Sequence, residues 1–226
     1  MEPLTPTKQP IAIRPEHVAS STTKIKVKQH SASWSSGNFT VSSTPTAEEP
    51  LLKKLFTVEG EIASWSQRRH FRDASGLPLF EISRKKAGVT WYLHLPGESS
   101  SKGENSEPIA TIVPKWSALK DKFDVHLRNA AANGEETILE VRGQNVWKSK
   151  TNVYHRGKLV MIVKLTDVAA VYLPGKRPSW EVVVAEGMDL SLASIIAVLL
   201  AAMLYQSSGK GKAPVSNDGP AEGNSG

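Results

Sequence analysis

Apolar and polar residues alternate in short segments from about residue 23 to residue 185. The first, 23–30, alternates Ile25 and Val27 with lysines, a period of two that is typical of a strand with one buried face. Turn residues separate these segments, which predicts roughly a dozen short, meander-connected strands. The predicted strands are 23–30, 39–41, 52–62, 67–72, 77–84, 89–95, 109–113, 122–128, 137–142, 151–155, 158–165, 168–173 and 180–185.

The segment 190–205 does not alternate. It is apolar on every face of the helix that its length predicts, so the whole segment must be shielded from water. At a rise of about 1.5 Å per residue it would be about 24 Å long, which is short of the roughly 30 Å hydrocarbon core of a bilayer. The flanking charges would place the C-terminal tail in the cytoplasm and the rest outside, yet the N-terminal sequence contains no apolar signal segment. A membrane span is therefore the alternative, and a helix enclosed by the rest of the protein is the prediction.

A barrel of about twelve strands is too wide to be filled by its own side chains. A hydrophobic helix through its centre would fill it, and closure would remove the exposed strand edges. We therefore predict a mainly β fold, a closed antiparallel barrel of about 12 strands around a central hydrophobic C-terminal helix. Asp189 is placed to cap the N-terminus of that helix. The residues predicted to fill or cap the barrel are Asp189, Leu192, Ile196, Leu199, Leu200 and Met203.

Proline and glycine punctuate the two ends of the chain. Residues 1–20 contain four prolines and no periodic pattern, which predicts an extended or disordered arm. Residues 207–226 form a Gly/Ser/Pro-rich tail that we expect to be disordered. The barrel domain is predicted over 21–206, with a short helix near 116–119.

The composition argues against catalysis. The chain has no cysteine, which excludes a disulfide framework, thiolate chemistry and cysteine-ligated metal. It contains no nucleophile elbow, phosphate-binding loop or dinucleotide fingerprint. The six histidines do not pair at metal-ligand spacing, and His94 and His126 are expected on polar strand faces, solvated or hydrogen-bonded. We expect no catalytic residues, no metal and no cofactor.

The net charge of +6 suggests attraction to an anionic surface. Basic residues cluster at strand ends and turns, and Trp65 and Trp147 lie close to some of them in sequence. Each basic residue contributes about 1 kcal/mol at an anionic membrane surface, and tryptophan favours the headgroup level. The alternative is that these cations only solubilise the barrel exterior; for nucleic acid there is charge but no recognition motif. The candidate lipid-binding residues are Arg68, Arg69, Arg72, Arg84, Lys85, Lys86, Lys176 and Arg177.

Five segments resemble the LURP-one-related family. They are FTVEGE (56–61), RDASGLPLFEISRK (72–85), EVRG (140–143), YHRGKLV (154–160) and VVVAEGMDL (182–190). The last is the most specific, because it leads from a strand through Gly-x-Asp into an apolar helix. The matches occur in the expected order and cover roughly residues 20–206.

This resemblance implies a tubby C-terminal-like fold, a closed barrel of twelve strands around a C-terminal helix that phospholipid scramblases are thought to share. Members of the family generally lack an established biochemical activity, whereas tubby domains bind phosphoinositide headgroups. The cysteine cluster and long proline-rich arm common in scramblases are absent from this chain, which argues against scrambling.

The leading hypothesis is a non-enzymatic intracellular interaction module that binds anionic phospholipid headgroups through basic strand-end loops. We expect a monomer in the cytoplasm, peripheral to a membrane where lipid is bound. One alternative is a soluble scaffold or regulator that binds another protein. The other is a protein anchored in a membrane by residues 190–205.

Overall fold

The structure is a computed structural model of the 226-residue chain, and it describes residues 3–30, 38–45, 51–61, 66–85, 89–98, 107–115, 122–145, 149–172 and 176–207. The strands are β1 (Thr23–Gln29), β2 (Phe39–Ser43), β3 (Lys54–Gly60), β4 (Arg69–Asp73), β5 (Pro78–Arg84), β6 (Trp91–His94), β7 (Ala110–Pro114), β8 (Lys122–Asn129), β9 (Glu135–Gly143), β10 (Lys150–His155), β11 (Lys158–Leu165) and β12 (Ser179–Val184). The α-helices are α1 (Ala169–Tyr172) and α2 (Leu190–Ser207), and short 3-10 helices span Pro15–His17 and Ala130–Ala132.

The twelve strands close into one antiparallel barrel. Each strand pairs with its neighbours along the chain, and β1 closes the barrel by pairing with β12. Ile25 on β1 thus lies opposite Ser43 on one side and Val182 on the other. Backbone groups are paired along both edges of every strand, which removes the edges that promote aggregation. The predicted barrel around a C-terminal helix is confirmed.

One predicted strand is wrong. Residues 168–173 were expected to extend, but Ala169–Tyr172 form the single turn of α1 between β11 and β12. Alanine is the best helix former, and the Asp167 carboxylate accepts a hydrogen bond from the Ala170 amide at 3.3 Å, which caps the turn. The helix predicted near 116–119 lies outside the described residues.

Helix α2 runs through the barrel and fills it. Its side chains are buried on all sides from Ser191 to Ala202, as its uniformly apolar sequence requires. Burying one leucine or isoleucine side chain completely stabilises the fold by about 1.5–3 kcal/mol. None of the helices in the described part of the chain is long and apolar enough to cross a membrane. The filling residues are confirmed as buried for Asp189, Leu192, Ile196, Leu199 and Leu200, while Met203 is half-buried and packs against the core.

The N-terminal arm, residues 3–20, packs against the barrel. Ile11 of the arm is 1% exposed and pairs in parallel with Met188. The Thr5 amide donates to the Leu159 carbonyl at 2.8 Å, which ties the arm to β11. Gly187, at φ +86°, lies so close to Thr7 of the arm that a Cβ atom there would collide with the threonine side chain. Of the tail predicted at 207–226, all but Ser207 lies outside the described residues.

Asp189 joins helix α2 to the arm. One carboxylate oxygen accepts hydrogen bonds from the Ser191 amide at 2.7 Å, the Ser191 hydroxyl at 2.6 Å and the Leu192 amide at 3.3 Å. The other accepts from the amides of Ile13 at 3.1 Å and Arg14 at 2.9 Å. Burial raises the pKa of Asp189, against the opposing effect of these hydrogen bonds. The predicted helix cap is thus also the attachment point of the arm.

The meander gives the barrel two distinct ends. At the arm end, the chain passes from β12 into α2 and the arm covers the opening. At the opposite end lie the connections β1–β2, β3–β4, β5–β6, β7–β8, β9–β10 and β11–β12. Leu204 near the C-terminus of α2 lies beside Leu165 and Trp180, which places that end of the helix there.

Candidate functional site

The structure brings five of the eight predicted lipid-binding cations to the end opposite the arm. Four lie in connections between two strands at that end, and Arg84 is the last residue of β5 beside one of them. Lys85, Lys176 and Arg177 are exposed, and Arg68 and Arg84 are half-buried. Because an antiparallel meander turns at alternate ends of the barrel, every second connection lies at the same end, and cations far apart in sequence come together.

Further basic residues at this end were not among the predicted site residues. Counting strand ends along the sequence would have found them, since alternate connections share an end. We call the whole set the basic rim. Its described members, connection by connection around the end, are His30 (β1–β2), Arg68 (β3–β4), Arg84 and Lys85 (β5–β6), Lys115 and Lys122 (β7–β8), Lys150 (β9–β10), and Lys176 and Arg177 (β11–β12).

Carboxylates offset part of this charge. Lys115 pairs with Asp124, Lys176 lies 3.6 Å from Asp167, and an Arg68 nitrogen lies 4.0 Å from Glu61. Of these three, the Lys176–Asp167 pair is exposed on both sides, and a pair of this kind contributes only about 0–1 kcal/mol. Lys176 could therefore exchange Asp167 for an external phosphate.

Like charges also face each other across strands near the rim. Lys150 on β10 is directly opposite Lys164 on β11, and Lys122 on β8 is opposite Arg142 on β9. Opposed like charges destabilise a strand pair. An anion bound at the rim would relieve this repulsion.

The sequence of residues 23–201 matches the profile of the LURP-one-related family. The chain belongs to this family. The match spans most of the segment over which the resemblance was expected and includes all twelve strands and most of α2. No curated protein matches the chain.

A crystal structure of a protein from Arabidopsis thaliana shares the fold of this LURP-one-related protein. The two are 16% identical and superpose with a TM-score of 0.53, over 85% of this chain and 98% of that chain. At this identity the likeness concerns the fold alone, and it supports the tubby-like barrel expected from the resemblance.

Two of the predicted lipid-binding residues of this LURP-one-related protein lie away from the basic rim. Arg69 is 1% exposed, because strand alternation places it on the same inward face as Phe71. Burial lowers the pKa of Arg69 to about 10, and its guanidinium lies 5.6 Å from the ring centroid of Phe39. Arg72 lies near the arm end instead, 3.6 Å from Glu59. Lys86 lies outside the described residues.

A second polar cluster lies on the outer face of strands β4 to β6. His70 lies between two carboxylates, with Nε2 2.9 Å from Glu61 and Nδ1 3.7 Å from Glu81. The turn after β6 folds onto this face, where the Gly97 amide donates to Glu81 at 3.1 Å. His94, expected to be solvated or hydrogen-bonded, is buried, and this burial lowers its pKa.

His126 is half-buried and lies 3.3 Å from Glu136, in agreement with the expected hydrogen-bonded position. Across the described ranges, no three histidine, aspartate or glutamate side chains are close enough to share a metal ion.

Proposed function

We propose that this LURP-one-related protein binds anionic phospholipid headgroups through the basic rim, as a non-enzymatic module at the cytoplasmic face of a membrane. The observation that carries the proposal is that five of the six connections at one end of the barrel carry a lysine or arginine, within the connection or at the adjoining strand end. A ring of cations on a closed end suits a planar anionic surface, which every connection can approach at once. At about 1 kcal/mol for each basic residue near such a surface, several weak contacts add to useful affinity.

Apolar side chains at the same end support a membrane surface as the partner. Val89 in the β5–β6 connection is 54% exposed and Val168 in the β11–β12 connection is 37% exposed. The sequence of the connections at this end also contains four of the six tryptophans, and tryptophan favours the headgroup level. The side chains of Trp34, Trp65, Trp116 and Trp147 lie outside the described residues, and the rim is defined without them.

Vesicle flotation tests the proposal with two variants of equal charge. The rim variant K85Q/K176Q/R177Q and the control K24Q/K53Q/K54Q each remove three exposed cations, and both lower the formal net charge from +6 to +3. Lys24, Lys53 and Lys54 lie towards the arm end. A purely non-specific attraction would therefore fall equally in the two proteins.

We expect wild type and control to float with vesicles that contain phosphatidylserine or a phosphoinositide, and not with phosphatidylcholine alone. The rim variant should bind on the order of a hundredfold more weakly, from three contacts of about 1 kcal/mol each. Binding should weaken as salt is raised, because exposed charges are screened. Equal binding by both variants, or no binding by wild type, would overturn the proposal.

The alternative is a scaffold or regulator that binds another protein through the terminal segments of the chain. It predicts no flotation at any lipid composition, so the vesicle experiment separates the two functions.

A further inference from the structure

A pocket of about 250 Å³ lies at the arm end, far from the basic rim. One wall is the arm around Thr7 and Lys8, and the other is formed by the β8–β9 and β10–β11 hairpins. Asn129 holds the arm in place, since its side-chain oxygen accepts from the Ala12 amide at 3.0 Å and its nitrogen donates to the Pro10 carbonyl at 2.9 Å. Both walls are therefore held by hydrogen bonds, and the pocket is preformed.

The pocket is positively charged. Lys8, Arg156 and Lys158 are exposed at its walls, and Glu135 is the one carboxylate among its lining residues. Arg156 lies 3.8 Å from Glu135, and the two side chains are 77% and 61% exposed. That separation is too long for a hydrogen bond, and an exposed pair of this kind is weak. The guanidinium fork therefore stays available for a phosphate, whose geometry it matches.

His155 also lines the pocket, with its ring orientation set by the barrel. Its Nδ1 lies 3.2 Å from the Ile138 carbonyl oxygen. Because a carbonyl can only accept, Nδ1 must carry the hydrogen. This contact fixes the ring at the edge of the pocket.

Arg156 occupies a backbone position that disfavours arginine. It and Gly157 form the two-residue turn between His155 and Lys158, with φ values of +49° and +76°. Turns with positive φ at both positions favour Asn-Gly, because a larger side chain is strained in the left-handed region. A strained residue at a pocket wall is a reason to look for a function. Here the strained side chain is also the one suited to bind an anion.

We propose that this arm pocket binds the phosphate monoester group of a compact ligand, held by Lys8, Arg156 and Lys158. The volume lies just below the usual range of about 300–1,000 Å³ for ligand pockets, which suits a small polar molecule. A phosphorylated sugar and the phosphorylated headgroup of an inositol lipid share this chemistry. The proposal is independent of the basic rim, which lies at the other end of the barrel.

The decisive variant is Arg156→Asn, because asparagine relieves the backbone strain while removing the cation. Its melting temperature should rise, so weaker binding could not be attributed to misfolding. Lys8→Gln tests the arm wall, and Lys53→Gln is the control, an exposed lysine near the same end of the barrel that does not line the pocket. Calorimetric titrations use glucose 6-phosphate and inorganic phosphate, and flotation uses vesicles containing phosphatidylinositol 4-phosphate.

Wild type and Lys53→Gln should bind at least one probe saturably, and Arg156→Asn and Lys8→Gln should each bind roughly tenfold more weakly or worse. If the soluble phosphates bind, the ligand of the pocket is a free phosphorylated metabolite. If Arg156→Asn and Lys8→Gln weaken only the binding to vesicles, the ligand is a lipid headgroup. The rim variant K85Q/K176Q/R177Q should bind soluble phosphates like wild type, and adding Arg156→Asn to it should weaken its flotation with phosphatidylinositol 4-phosphate vesicles further, so the two proposals fail separately. Binding by Arg156→Asn equal to wild type, or no saturable binding of any probe by wild type, would overturn the inference.

Discussion

Replacing Asp189 with alanine should both destabilise the barrel and release the arm. The carboxylate accepts five hydrogen bonds, three from the first turn of α2 and two from the arm amides of Ile13 and Arg14. Loss of a helix cap costs about 1 kcal/mol. Each arm amide left without an acceptor adds about 1 kcal/mol, the lower end of the usual range, because both residues are only half-buried. The expected loss is about 3 kcal/mol.

Asparagine at the same position should have an intermediate effect. Asparagine retains one oxygen acceptor but has an NH₂ donor in place of the other oxygen. It can therefore accept the hydrogen bonds of the helix or those of the arm, but not both. We expect Asp189→Asn to lose about 1–2 kcal/mol, close to half of the effect of alanine. Asp167→Ala is the matched control, since Asp167 is itself exposed and caps the turn of α1 with one hydrogen bond of 3.3 Å. It should cost less than about 1 kcal/mol.

Two measurements check this prediction. Urea unfolding followed by circular dichroism gives the free energy of unfolding, and a loss of about 3 kcal/mol should lower the melting temperature by roughly 6–12 °C in a protein of this size. Hydrogen exchange should show faster exchange in the arm around Ile13 and Arg14 for both Asp189 variants, and no change there for Asp167→Ala. If Asp189→Ala matched the control in stability and in arm exchange, the assignment of Asp189 as the link between helix and arm would be wrong.

Three further predictions concern the same structural elements. Leu200→Asp should unfold the domain, as seen by circular dichroism, because it buries an unpaired charge at a cost of several kcal/mol of stability. The control Leu77→Asp should stay folded, since Leu77 is 60% exposed. A folded Leu200→Asp protein would contradict the filled barrel. Gly187→Ala should lower the free energy of unfolding in urea by more than Gly76→Ala does. Both glycines have positive φ, which costs an alanine roughly 1–2 kcal/mol of backbone strain, but only the Cβ atom at residue 187 would also collide with the arm. Equal losses would show that the arm does not lie against Gly187. The pKa of Asp189 in the folded state is raised above the ordinary value of 3.8. At pH values between the two pKa values, Asp189 is therefore protonated in the folded state and ionised in the unfolded state. The stability of wild type relative to Asp189→Asn should therefore fall as pH rises above 3.8 and level off above the native pKa; a rise over that window would show that the hydrogen bonds outweigh burial.

The sequence pattern predicted a strand or helix correctly where a single requirement, such as burying one face or a whole segment, determines its structure. Ile25 and Val27 alternate with lysines, and β1 has one buried face as expected. The helix was predictable because a segment apolar on every side has to be enclosed. Residues 168–173 were misassigned since a short apolar run suits a strand or a buried helical turn equally, and the capping contact of Asp167 decides between them.

The candidate sites were harder to predict, because they depend on which face and which end of the barrel a residue occupies. The run Arg68-Arg69-His70 looks like one basic cluster, yet the strand turns Arg69 inward and leaves its neighbours outside. The arm pocket joins Lys8 to Arg156 and Lys158. No local pattern connects residues so far apart in the chain.

The sequence by itself determined the strand periodicity, the enclosed helix with its aspartate cap, the net charge and the family. These follow from local spacing and composition, which act on each segment separately. Only the tertiary structure decided which cations share an end, that Arg69 is internal, and that the arm covers the barrel and forms a pocket with two hairpins. The physical reason is the closure of the barrel. Once β1 pairs with β12, each strand residue is assigned to the inner or outer face, to one end of the barrel and to fixed neighbours on the adjoining strands.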